Sequence, residues 1–302
     1  MNVLIAGGTG FLGHHLARSL LADRHRVWVL TRGHRESPTD VTSLSWDGRT
    51  LGEWARVMNE MDAVVNLAGL SLNSWPWTEG RKRRFHDSRV GPGHALVSAV
   101  EQASRRPGVF IQVSGINHYG LRGEGIADET CPPGEDYLSQ LTVAWEGSTA
   151  SIKALGVRHV VCRTAVVLAR DATLFLLMAL PVRLFVGGPL GSGGQALPWI
   201  HLQDWISATR FLMDHPEAEG AYNLIAPAPT SNAEFMRGLA KAYRRPYWFR
   251  VPVALLRLVL GEMSVLVTEG RFSEPRRLNG MGFQFRFPDL ESAFENLVSK
   301  NH

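Results

Sequence analysis

Short, continuous apolar runs alternate with helix-period segments along the first half of the chain. Residues 3–6 form an unbroken apolar run, and residues 14–21, beyond a glycine-rich stretch, have the spacing of a helix. Further apolar runs at 25–32, 63–69, 109–114 and 157–163 read as strands. Between them lie helix-like segments near 53–60, over roughly 78–104, and over about 137–155. The second of these is expected to break near Gly91-Pro92-Gly93, since both residue types interrupt helices. Strands without polar alternation, separated by helices, predict a parallel sheet covered on both faces. After residue 163 the rhythm changes, with Pro and Gly punctuating 181–198 and short elements filling the remainder. The expected fold is therefore α/β, a doubly wound parallel sheet with a smaller C-terminal α+β lobe. Residues 1–168 with about 200–225 would make the first part, and about 169–199 with 226–302 the second. The apolar stretches 174–180 and 251–260 are too short to span a bilayer and read as buried helices, so no membrane partner is expected.

Composition narrows the class. With 302 residues, 45% hydrophobic and 20% charged, the chain has the make-up of a soluble globular protein. Its net charge of +4 comes without a basic stripe interleaved with aromatics, so nucleic acid is not an expected partner. The run Arg81-Lys82-Arg83-Arg84 falls in a helix pattern and reads as a solvated face. Cys131 and Cys162 are too few and too far apart for a disulfide framework or metal site, which points to a reducing, cytoplasmic setting. No signal peptide is expected, because the first apolar run is a strand feeding a glycine turn.

That turn carries the first candidate chemistry. Gly7-Gly8-Thr9-Gly10-Phe11-Leu12-Gly13 satisfies G-x-G-x-x-G between a strand and a helix. In this context bare backbone admits a pyrophosphate onto the N–H groups of the helix N-terminus. The second strand ends in Thr31-Arg32, followed by Gly33, His34 and Arg35, where an NAD-preferring protein places an acid. A guanidinium binds a ribose 2′-phosphate, whereas a carboxylate repels it, so NADP(H) is the expected cofactor. Asn66-Leu67-Ala68-Gly69 ends the third strand in small residues that would let the adenosine half lie against backbone. Ser114 closes the fourth strand where the nicotinamide would lie, and Gly115-Ile116-Asn117-His118-Tyr119-Gly120 continues it.

With these segments the chain resembles the extended, atypical short-chain dehydrogenase/reductases, which have a Rossmann core. More narrowly it is similar to epimerase-family oxidoreductases of the nucleoside-diphosphate-sugar-epimerase-like and cell-division-inhibitor-like kind. Asp87-Ser88-Arg89, Trp145-Glu146, the stretch from Gly187 to His201, Asp204, 230–235 and 260–263 extend the match almost to the C-terminus. The resemblance implies NADP(H) contacts from the glycine turn, Thr31, Arg32, Leu67, Ala68, Arg84, Arg89 and Val167, and a C-terminal lobe over the cofactor. The wider superfamily pairs a tyrosine and a lysine as Y-x-x-x-K. Here Leu141 follows Tyr137 by four, and alignment on Trp145-Glu146 puts Leu138 and Thr142 at the pair.

Without the lysine a tyrosine is a poor base, since about 0.1% of an unperturbed phenol is ionised at pH 7. Proton donation to an alkoxide needs no such shift, so carbonyl reduction is the expected direction, with Ser114 polarising the carbonyl and Tyr119 or His118 donating. Each has a structural alternative: Ser114 in a loop bond, Tyr119 as a pocket wall, His118 as a loop residue, His201 bonded to Asp204 or backbone. Asp204 is expected to cap a helix starting near Trp205. Three functions remain open: an NADP(H)-dependent oxidoreductase acting on an unidentified small molecule, an NADPH-binding sensor or regulator of the kind the cell-division label suggests, and a nucleotide-sugar epimerase-like enzyme. The last is less favoured because its oxidation half needs the missing base. Either a monomer or a homodimer fits.

Overall fold

The computed structural model describes residues 1–33 and 40–299. Its centre is a seven-stranded sheet built from β1 (Asn2–Ala6), β2 (Arg26–Thr31), β3 (Thr42–Ser45), β4 (Ala63–Asn66), β5 (Val109–Gly115) and β6 (Arg158–Thr164). After β7 (Val166–Leu168) and β8 (Trp199–His201), which pair separately, β9 (Gly220–Leu224) completes it. The order is β3-β2-β1-β4-β5-β6-β9 and every pairing is parallel. Strand order reverses between β1 and β4, so the ligand crevice opens beyond their carboxyl ends.

Strand geometry sends alternate side chains to opposite faces. Val3, Ile5, Val29 and Val65 join one core, while Leu4, Ala6, Leu30 and Val64 join the other. Helix α1 (Phe11–Ala22) contributes Leu16 and Leu20 to the first, and α2 (Glu79–Gln102) contributes Leu96 and Val100 to the second. Each fully buried Leu or Ile stabilises by about 1.5–3 kcal/mol, which accounts for the unbroken apolar strands. The remaining principal helices are α3 (Tyr137–Gly147), α4 (Thr173–Arg183), α5 (Leu202–Asp214), α6 (Asn232–Tyr243) and α7 (Val253–Leu260). A third core gathers Leu168, Phe175, Trp199, Phe235, Leu239, Phe294 and Leu297 from β7 onward. Among the described residues no helix is long and apolar enough to cross a membrane.

Three expectations require correction. Helix α2 runs unbroken through Gly91-Pro92-Gly93. These residues serve packing: a Cβ on Gly93 would lie 2.0 Å from the Ser148 hydroxyl, so glycine there permits close approach of the Ser148 segment after α3. The segment 137–155 is not one helix, because α3 ends at Gly147 and a 3-10 turn, Ala150–Leu155, follows to a left-handed Gly156. Finally, α4 and α7 are not buried. Helix α4 buries Phe175, Ala179 and Val182 but leaves Leu176, Leu177 and Leu180 exposed. Helix α7 buries no residue, and Leu258 is 82% exposed.

Candidate functional site: a dinucleotide crevice beside a closed polar cluster

The turn from β1 to α1 is shaped by what glycine lacks. Gly7 has φ +77°, and a Cβ there would lie 2.9 Å from the Leu67 carbonyl carbon and oxygen. On Gly8 it would press on both Val29 methyls at 2.7 Å, and on Gly13 it would reach Gly7 O and Gly8 Cα at 2.6 Å. Backbone therefore packs on backbone, and α1 begins against β1. Gly10 caps α1 with no side-chain hydrogen bond, and no acid stands in the first turn. The first N–H groups of the helix are left for another acceptor. Thr9 is half-buried, Phe11 lies exposed at the helix start, and Leu12 packs against two of the cores.

At the end of β2, Thr31 is buried and its hydroxyl donates to Gly33 O at 3.2 Å. Arg32 and Arg84 both line a cavity of about 70 Å³, together with Arg49, Ser88 and the carboxylates Asp47 and Asp87. Among the described residues neither arginine makes an ion pair. Asp47 is engaged by its own loop. The Thr50 hydroxyl and the N–H groups of Thr50 and Arg49 all donate to it, holding its pKa down at about 2. His34 and Arg35 lie outside the described residues.

At the end of β4, Leu67 N donates to Ala6 O at 2.9 Å and Ala68 N to Asn66 Oδ1 at 3.1 Å. A Cβ on Gly69 would sit 3.3 Å from the guanidinium carbon of Arg89. Arg89 is only 7% exposed and lies 4.8 Å over the Trp145 ring. It donates to Phe85 O, has no carboxylate partner among the described residues, and burial pushes its pKa down to about 10. A buried cation without such a partner and an open helix N-terminus both fit an anionic ligand. Val167 lies half-buried in β7, packed against the same two cores as Leu12. These residues could hold a dinucleotide carrying an additional phosphate.

The end of β5 is built differently. The Ser114 hydroxyl donates to Glu146 Oε1 of α3 at 2.8 Å. Arg163 of β6 grips the same carboxylate with two bonds, Nε to Oε1 at 3.0 Å and Nη2 to Oε2 at 2.9 Å. Its Nη1 donates to the Tyr119 hydroxyl at 2.9 Å, and that hydroxyl donates to Asn223 Oδ1 of β9 at 2.7 Å. Ser114 is 2% and Tyr119 1% exposed. Burial pushes the Tyr119 pKa up to about 12 despite the opposing Arg163 charge. His118 is buried with its Nδ1 3.4 Å from Glu146 Oε1 and without a hydrogen-bond partner. Burial holds its pKa below the usual histidine value, although Glu146 pulls the other way. Leu138 is buried, and Thr142, whose hydroxyl donates to Ser139 O, sits beside Gly115. Tyr137 donates to Lys82 O at 3.3 Å.

One other expectation changes, that Asp204 caps the helix, whereas His201 takes its backbone-bonded alternative. The cap of α5 is His201, whose Nδ1 accepts from Gln203 N, while its Nε2 donates to Asn296 Oδ1. Asp204 sits inside the helix and accepts from Arg286 N and Phe287 N, tying the C-terminal segment to α5. Near the β5 end a cavity of about 750 Å³ is walled by Trp77, Lys82, Tyr119, Tyr137, Glu262 and Arg271. Lys82 pairs with Glu262 at 2.7 Å and Arg122 with Glu269 at 2.7 Å, joining the sheet half to the C-terminal segment beside this cavity.

Glu146, Arg163 and Asn223 escaped the sequence reading as functional residues. A signal was present: Arg163 follows the apolar Val160-Val161-Cys162 near the end of a buried strand, and a buried charge there requires a partner. Which partner depends on sheet order.

A parallel sheet with a glycine turn at its point of reversal, followed by a lobe walling the adjoining cavity, defines an extended α/β protein of the dinucleotide-binding class. Residues 3–225 match the model of the NAD dependent epimerase/dehydratase family, and residues 251–297 match a domain of unknown function, DUF1731. The chain belongs to this epimerase/dehydratase family. It is 34% identical to the epimerase family protein YfhF of Bacillus subtilis over 99% of this chain and 98% of that one. Mouse epimerase family protein SDR39U1 is also 34% identical, over 99% of this chain and all of its own. The crystal structure of human SDR39U1 (isoform 2) with NADPH superposes with a TM-score of 0.87 at 31% identity, covering 99% of both chains.

Proposed function

We propose that this protein binds NADP(H) and is an oxidoreductase that reduces the carbonyl group of a small molecule. The observation that carries the cofactor assignment is the cavity at the end of β2 that Arg32 and Arg84, without ion pairs among the described residues, both line. A 2′-phosphate placed there would receive charge-assisted hydrogen bonds from both. The NADPH in the human SDR39U1 structure supports the same reading. Gly7, Gly8, Thr9, Gly10, Phe11, Leu12 and Gly13 would cradle the pyrophosphate. Thr31, Leu67, Ala68 and Gly69 would border the adenosine half, Arg89 would supply buried positive charge, and Val167 would border the nicotinamide half. Residues of about 169–199 and 226–302 would form the substrate lobe.

Bound NADPH supplies the hydride. The chain must orient the carbonyl and deliver a proton, and Ser114 and Tyr119 are assigned these tasks. A phenol with a pKa of about 12 stays protonated at neutral pH, which suits a donor and disfavours a base. Strict epimerisation, which must oxidise as well as reduce one carbon, is therefore the weaker assignment. For reduction, the Ser114 hydroxyl must turn from Glu146 and the Tyr119 hydroxyl from Asn223.

That requirement favours a second reading, an NADPH-binding regulator whose inherited site has closed. The distinguishing experiment follows NADPH oxidation against a panel of aldehydes and ketones. Turnover abolished by Ser114→Ala and reduced by Tyr119→Phe supports the reductase. Tight NADPH binding without turnover of any carbonyl favours the regulator.

A further inference from the structure

The exposed large hydrophobic side chains are not scattered. Eleven of the sixteen in the described chain lie in 176–186 and 248–259. The two stretches are joined: Trp248 N and Phe249 N donate to Gly187 O, Trp248 Nε1 donates to Phe185 O, and Gly191 N and Val251 N complete a ladder. One surface therefore runs from the outer face of α4 through Leu184, Phe185 and Trp248 to α7. Helix α7 is Val-Ala-Leu-Leu-Arg-Leu-Val-Leu and buries none of these residues. A helix apolar all round is ordinarily covered, and a contiguous apolar patch of this kind marks a contact surface.

Charge selects the partner. Residues 172–201 and 232–260 contain seven Arg or Lys residues and one acid, Glu234; Lys241 is paired with Glu291, which leaves a surplus of five where the whole chain has a net +4. Arg245 lies 4.2 Å over the Phe185 ring, and Arg183, Arg250 and Arg257 flank the apolar positions in sequence. Two copies meeting through this face would bring like charges together, which opposes a self-interface. Aromatic and aliphatic side chains rimmed by arginine, on helices too short to span a bilayer, are the features of an element lying in a lipid headgroup region.

We propose that this face docks the protein on the surface of an anionic lipid bilayer. Helices α4 and α7 would lie in the interface with Trp248 and Leu258 inserted and the arginines among headgroup phosphates. None of the exposed apolar residues of this face lines the Arg32–Arg84 cavity or the cavity beside β5, so this proposal does not depend on the function assigned to the crevice.

The test is flotation of the full-length protein with phosphatidylcholine vesicles, with and without phosphatidylglycerol. The expected result is binding to the phosphatidylglycerol vesicles, about tenfold stronger than to phosphatidylcholine alone and weakened by salt. Leu258→Glu and Trp248→Glu should each lower that binding by about tenfold. Both positions are highly exposed, at 82% and 67%, and an unchanged near-ultraviolet circular dichroism spectrum would verify the fold of each variant. The proposal is overturned if phosphatidylglycerol vesicles leave the protein unbound, or if both folded variants bind like the parent. A lipid-free dimer abolished by Leu258→Glu, with no vesicle binding, would assign the face to a second copy and also overturn it.

Discussion

The carboxyl ends of β1 and β5 are separated in the sheet only by β4, yet they are finished in opposite ways. At β1 the chain withholds side chains and leaves an uncapped helix N-terminus; at the end of β4, Arg89 against Gly69 is a buried cation without a carboxylate partner among the described residues. At β5 it largely does the reverse: Ser114, Glu146, Arg163, Tyr119 and Asn223 satisfy one another in a connected chain of hydrogen bonds, with His118 Nδ1 left unpartnered beside Glu146. Unmet polar capacity beside the crevice calls for a ligand, whereas internally paired capacity supports the fold. Binding should therefore be the more robust property of this molecule, and chemistry the property that needs rearrangement.

The sharpest way to break the contrast is to open the closed end. Arg163→Ala leaves Glu146 buried without its bidentate partner, and should cost about 3–5 kcal/mol in urea unfolding. A loss below about 1 kcal/mol would mean the cluster is already loose and available for chemistry. At the open end, Gly13→Ala forces a methyl onto Gly7 O and Gly8 Cα at 2.6 Å. It should cost about 1–3 kcal/mol and abolish NADPH binding, seen by calorimetric titration of the folded variant. Retained affinity would detach the ligand from this turn.

A smaller effect concerns pH. Burial lowers His159 and His201 from 6.5 to about 4, so both are neutral in the folded protein at pH 7. Stability from these groups is full above the unfolded value and is lost as pH falls from about 6.5 towards 4, while the unfolded chain takes up protons. Each should contribute a loss on the order of 1–2 kcal/mol between about pH 7 and pH 5. Urea midpoints in His159→Gln should fall less steeply over that range than in the parent. An identical fall would remove His159 from the account.

The same contrast explains what could be read from the sequence. Strands β1, β2, β4, β5 and β6 are buried on both faces and appear as apolar runs. Strand β3, Thr-Ser-Leu-Ser, is an exposed edge with no apolar pattern to notice. Pro92 and its glycines carry the usual signal of a break, but here the close approach of Ser148 to Gly93 and of Gly48 O to Gly91 favours glycine on an unbroken α2. Arg32 and the glycine turn are contiguous signals in sequence. The Ser114 cluster draws on α3, β6 and β9, with Asn223 lying 104 positions from Tyr119, and sheet order is needed to bring them together. The apolar α4 and α7 mislead in the other direction, because hydrophobicity reports the wish for cover and not what provides it.

The most direct test of the central claim is a fluorescence titration of the protein and its Arg32→Ala variant with NADPH and NADH. The account predicts that NADPH binds at least about tenfold more tightly than NADH. It also predicts that Arg32→Ala weakens NADPH alone and brings the two affinities together. Equal affinities in the parent protein, or an unchanged preference in the variant, would contradict the assignment of the Arg32–Arg84 cavity to a 2′-phosphate.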